Sequence, residues 1–134
     1  MALSFVIDES MNLLTIVGRG SFTVADAFET AEAIRRSPNF RPGMLTLADL
    51  TGARVTGKTH ALWRLATRAH TLTPSIQSPT KGALVSDDLV VYGVARMYAL
   101  LAATDKQEFM AFRELGDARR YLGLPVVDSV DART

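Results

Sequence analysis

The 134-residue chain sets 15 Lys and Arg against 14 Asp and Glu, for a formal net charge of +1, and is 48% apolar with no cysteine. That length and apolar content fit one globular domain, since two cores would each have too little surface to bury. The missing cysteines exclude a disulfide framework, a thiolate zinc site and a cysteine nucleophile, and the near-neutral balance argues against a general nucleic-acid binder.

No apolar run approaches the roughly 20 residues that a membrane-spanning helix requires. The opening Met-Ala-Leu-Ser-Phe-Val-Ile-Asp lacks the basic start and long apolar stretch of a secretion leader. The expectation is a cytoplasmic protein that does not span a membrane.

Leu3 to Asp8 and Leu13 to Gly20 are β-branched and apolar runs separated by the turn residues Glu9-Ser10-Met11-Asn12, so they predict an antiparallel hairpin. Thr23, three residues before Asp26, predicts a capped helix that runs until Ser37-Pro38, with Val24, Ala27, Phe28, Ala31 and Ile34 at helical spacing. Phe40-Arg41-Pro42-Gly43 turns the chain into a strand over Met44 to Leu50. After a loop from Thr51 to Gly57, Lys58 to Leu72 predicts an amphipathic helix with Ala61, Leu62, Leu65, Ala66, Ala69 and Leu72 on one face. A strand over Lys81 to Ser86, a helix over Leu89 to Ala103 capped by Ser86 or Asp87, a strand over Glu108 to Arg113 and a helix over Gly116 to Leu122 complete the order. From Gly123 onward the chain has little to bury and predicts a frayed tail.

The alternation demands an α/β domain with a five-stranded, mostly parallel sheet, an N-terminal antiparallel hairpin and four helices. Leu3, Phe5 and Ile7 alternate with Ser4 and Asp8, unlike a sheet covered on both faces, so one face is expected to be only partly covered. Residues 1–125 read as a single domain and 126–134 as a flexible tail.

Three features carry candidate chemistry. Between Leu50 and Ser86 lie Arg54, Lys58, Arg64, Arg68 and Lys81 and no acid, and His60, Trp63, Arg64 and Arg68 fall away from the apolar stripe of the second helix. Arg54, His60, Trp63, Arg64 and Arg68 are therefore either a solvated face or a surface for an acidic protein partner, tryptophan and arginine being enriched where binding energy concentrates.

Gly52-Ala53-Arg54-Val55-Thr56-Gly57-Lys58-Thr59 fits G-x-x-x-x-G-K-T between a predicted strand and helix, where backbone N–H groups cradle phosphates and lysine neutralises them. Chance and the position of the loop after two strands and a helix weigh against a nucleotide-hydrolysing domain. Gly57, Lys58 and Thr59 still qualify as an anion site, or as a nucleotide site, if they begin a helix.

The third predicted helix is apolar around most of its circumference, so it is either packed between sheet and helices or partly covered by a second subunit, which admits a homodimer. Tyr92 and Arg96, beside Gly93, are candidates for a ligand cleft that takes an apolar or lipid-like molecule, with Lys58 or Arg96 at its anionic head. No catalytic dyad, metal-ligand cluster or cofactor fingerprint emerges.

Tyr92-Gly93-Val94-Ala95-Arg96-Met97-Tyr98, Phe112-Arg113-Glu114-Leu115 and Ala118-Arg119-Arg120-Tyr121-Leu122-Gly123, with Phe40-Arg41-Pro42-Gly43 and Asp49-Leu50-Thr51-Gly52, resemble bacterial SpoIIAA-like proteins of the STAS group. The resemblance covers about residues 2 to 125. It implies a β/α superhelix similar in architecture to lipid-binding CRAL-TRIO domains, and a nonenzymatic interaction or regulatory module. In the anti-sigma factor antagonists of that group an Asp-Ser-Ser-Gly motif carries a regulatory phosphoserine. The matching positions here are Gly57, Lys58, Thr59 and His60, and only the hydroxyl of Thr59 survives, which leaves such a switch without its motif.

Overall fold

A computed structural model describes residues 2–71 and 73–125. The chain forms β1 (Leu3–Asp8), β2 (Leu13–Gly18), β3 (Gly20–Phe22), α1 (Val24–Arg36), β4 (Leu45–Asp49), β5 (Ala53–Val55), α2 (Leu62–His70), β6 (Thr80–Val85), α3 (Leu89–Ala102), β7 (Gln107–Phe112) and α4 (Leu115–Leu122), with a short 3₁₀ turn at Thr73–Ser75. The five-stranded sheet has the order β1-β2-β4-β6-β7, antiparallel between β1 and β2 and parallel elsewhere. This is the expected α/β architecture with its hairpin and four helices.

Two expectations fail at one place. The second strand does not run to Gly20: the chain bends at Arg19, Gly20 takes a left-handed φ of 76°, and β3 leaves the main sheet. There it pairs in parallel with β5, three residues inside the segment expected to be a loop. Gly18 marks the seam, since a Cβ there would lie 2.9 Å from Leu50 Cδ2 and 3.2 Å from Ala53 Cβ.

Strand alternation divides the core in two. Leu13, Leu47, Ala83 and Val85 face α4 and bury Ala118, Leu122 and Leu124. Leu3, Ile16, Ala48 and Leu84 face the other way and share a core with Phe22, Ala27 and Val91. The α4 face is only partly covered, as expected: α4 packs on β4, β6 and β7, and Val6 on β1 is 68% exposed.

Gly123 and Leu124 do not belong to the expected frayed tail. Gly123 is the left-handed C-cap of α4, with φ 77°, and buried Leu124 donates its N–H to Arg119 O at 2.9 Å. The segment 126–134 lies outside the described residues.

Helix α1 shows how local chemistry sets a boundary. Thr23 Oγ1 accepts the N–H of Asp26 at 3.0 Å, and the Asp26 carboxylate accepts the N–H of Thr23 at 2.9 Å, so two donors that the helix cannot satisfy are paired reciprocally. Thr23→Ala is expected to cost about 1 kcal/mol, read as a lower urea midpoint at unchanged slope. At α3 the cap is Asp88, which accepts from Val91 N at 3.0 Å, in place of the expected Ser86 or Asp87; buried Ser86 instead accepts the N–H of Asp88 at 3.1 Å.

Candidate functional site

The Gly57-Lys58-Thr59 loop joins β5 to α2. It is anchored by Thr56, whose N–H donates to Phe22 O at 2.8 Å, and turned by Gly57 at φ 75°. Helix α2 begins only at Leu62, with Ala61 at its N-cap and no side-chain capping bond. The expectation of a helix from Lys58 is thus corrected: nothing caps it there, and the left-handed Gly57 and the bond from Leu62 N to Thr59 O hold the segment in a turn. Lys58 and Thr59 stand outside the helix, so the first-turn N–H groups that would cradle a phosphate are not next to the lysine.

The basic stretch acquires acids from elsewhere in the chain. Arg54 Nε lies 3.6 Å from Asp88 Oδ1. Arg68 donates through Nε, at 3.0 Å, and through Nη2 to Glu32 Oε2 on α1, with its guanidinium over the Phe28 ring. Arg35 Nη1 stands 3.5 Å from the same oxygen. Hydrogen bonding from Arg68, helped by its charge and those of Arg35 and Arg36, outweighs desolvation and holds the Glu32 carboxyl below its ordinary pKa. Lys58, His60, Trp63 and Arg64 remain exposed, Trp63 by 57%.

Tyr92 and Arg96 border neither of the two spaces described below. The buried line of α3 is Val91, Ala95, Ala99 and Ala102, which leaves Tyr92 and Arg96 on its flank. There the Arg96 and Arg113 guanidiniums lie 5.9 and 5.4 Å from the Tyr92 ring centre, in a surface stack.

The cavity lies one layer deeper. A space of about 160 Å³ sits between the sheet and helices α1, α2 and α3, bounded by Ala27 and Ala31, Leu62 and Leu65, Ala95 and Tyr98, and by Ile16, Ala48 and Phe109 of the sheet. A second space of about 130 Å³ shares Ile16, Ala31, Ile34, Leu65, Tyr98 and Phe109 with the first, and Arg35 and Arg68 border it. Small side chains at Ala27, Ala31, Ala48 and Ala95 leave the room. Phe109 stands edge-on to Tyr98, centroids 5.5 Å apart, and burial pushes the Tyr98 phenol up to about 12. Among the described residues the Tyr98 hydroxyl has no hydrogen-bond partner, which makes it a polar group available to an occupant.

Interiors are normally packed to crystal density, so side chains bordering a space of this size lack partner atoms on one side. The sequence signal for it is weak: alanines on the inward faces of α1 and α3 look like ordinary helix formers.

No family model matches the chain, and no curated protein matches it. Among solved structures it is similar to an uncharacterised DUF3478-family protein with a SpoIIAA-like fold from Shewanella loihica PV-4, at 18% identity, over 90% of this chain and 94% of that one, with a TM-score of 0.57. The chain therefore has a SpoIIAA-like fold. Among the described residues no helix is long and apolar enough to cross a membrane.

Proposed function

We propose that the protein is a nonenzymatic binding module that holds a small amphipathic ligand, its apolar part in the cavity under α1, α2 and α3 and an anionic head at Arg68 and Arg35. The observation that carries this reading is the apolar cavity itself, continued by a second space that ends at two guanidiniums. Mostly apolar walls with a few placed polar groups are what ligand sites share. The head site differs from the Lys58 and Arg96 first expected, because Lys58 is exposed in its turn and Arg96 lies on the outer flank of α3. Glu32 occupies the guanidiniums in the free protein and would compete with an incoming carboxylate.

The test is fluorescence titration with a polyene fatty acid and with its methyl ester. Saturable binding of the acid is expected, weaker for the ester. Ala31→Leu, which fills the junction of the two spaces, is expected to weaken binding at least about tenfold, or about 1.4 kcal/mol, while the fold melts no earlier. Glu32→Gln is expected to tighten binding of the acid and leave the ester unchanged. No saturable binding of either probe would end this reading.

A second reading, docking of an acidic protein partner, is favoured by the exposed indole of Trp63 between His60 and Arg64. Trp63→Ala combined with Arg64→Glu would abolish such docking and leave fatty-acid titrations unaltered.

A further inference from the structure

The outward face of α3 is an apolar strip. Leu89, Val90, Met97, Leu100 and Leu101 are exposed by 71, 63, 55, 80 and 43%. At 100° per residue they surround Gly93, and the one charged side chain on the helix, Arg96, stands at the strip's edge. The strip presents roughly 600 Å² of apolar surface, at the top of the range ordinary monomers carry.

Gly93 is the second observation. Glycine inside a helix costs about 1 kcal/mol relative to alanine. Here no positive φ requires it, and a Cβ built at Gly93 meets nothing within 4 Å, so packing within the chain does not require it either. A residue without a side chain at the middle of an exposed apolar strip serves close approach from outside.

We infer that this face binds a second copy of the same chain, with the two α3 helices antiparallel about a twofold axis near Ala95. In that arrangement the strip is self-complementary. Leu89 meets the second copy's Leu100, Val90 meets its Leu101, and Met97 enters the space over its Gly93. Complete burial of the strip on both copies would remove about 1,200 Å² from solvent, the lower bound for a stable interface.

The helix dipoles select the same direction. At the N-terminal end of α3 the side-chain charges balance: Arg54 pairs with Asp88, and Arg113 donates to Asp87 O at 3.0 Å beside the Asp87 carboxylate. The C-terminal end has no basic residue in its own last turn, its Leu101 carbonyl lies 2.8 Å from His70 Nε2, and Asp105 beyond it is followed by Lys106. Antiparallel pairing sets the positive pole of each helix dipole against the negative pole of the other copy, whereas parallel pairing would stack like poles. This inference is independent of the cavity, which none of the exposed residues of the strip lines.

Sedimentation velocity over a concentration series tests it. The wild type is expected to be dimeric at tens of micromolar, and Leu100→Arg, at a position already in solvent, to be monomeric with an unchanged circular-dichroism melt. Because the chain has no cysteine, direction is read by disulfide trapping. Leu89→Cys with Leu100→Cys in one chain should oxidise to a covalent dimer, and Leu89→Cys alone should not. A wild type that stays monomeric, a dimer that Leu100→Arg leaves intact, binding of this face to anionic vesicles without self-association, or trapping by Leu89→Cys alone would each overturn the proposal.

Discussion

Gly82→Val is expected to lower stability by about 3 kcal/mol, a fall in melting temperature of about 10 °C for a domain of this size. Gly82 sits in β6 beside Phe109 of β7, and a Cβ there would lie 2.6 Å from two atoms of the Phe109 ring. The ring occupies the room a side chain would need, so a valine must displace it from its edge contact with Tyr98. Phe109 borders both cavities, which offer free volume for a displaced ring. Loss of stability and loss of fatty-acid binding should therefore arrive together. Phe109→Leu in the same chain should recover part of the stability, because contacting sites are not additive. Thermal melts of the two single variants and the double variant check this, and a neutral Gly82→Val would show that the ring does not rest on the glycine.

The elements legible in the sequence are those whose signals are local. The hairpin turn at residues 9 to 12, the Thr23 and Asp26 pair and the apolar run of α3 each specify their structure within a few residues, and the main sheet and four helices follow from their order. What escaped depends on residues far apart. β5 is three residues long and exists because β3 peels away at Gly20 to meet it, so Ala53-Arg54-Val55 alone reads as loop. Arg54 and Arg68 look like free cations in an acid-free stretch, yet Asp88 and Glu32 reach them across the fold. Tyr92 and Arg96 at helical spacing share a face, but whether that face looks inward was undetermined until α3 had neighbours. The cavity was the least legible feature, because a pattern of apolar positions specifies what is buried and not whether the volumes fill the space.

That difference in filling predicts unequal consequences on the two faces of the sheet. Leu47 is 2% exposed and packs in the core under α4, among Leu13, Val85, Ala118 and Leu122. Leu47→Ala should cost about 3 to 4 kcal/mol, because the α4 side has close contacts to lose and a new void to leave. Leu65 borders both cavities from α2 and is only half-buried. Part of its surroundings is already empty, so it has fewer contacts to forfeit, and Leu65→Ala should cost less than about 2 kcal/mol. Chemical denaturation of the two variants at matched slope measures the gap, and fatty acid should widen the difference between wild type and Leu65→Ala while leaving the cost of Leu47→Ala unchanged, by stabilising only chains whose cavity walls are intact. Equal costs on both faces would mean that the α1–α3 side is packed as tightly as the α4 side and has no room for a guest. A wide gap would assign one face of the sheet to holding the fold together and the other to holding a ligand.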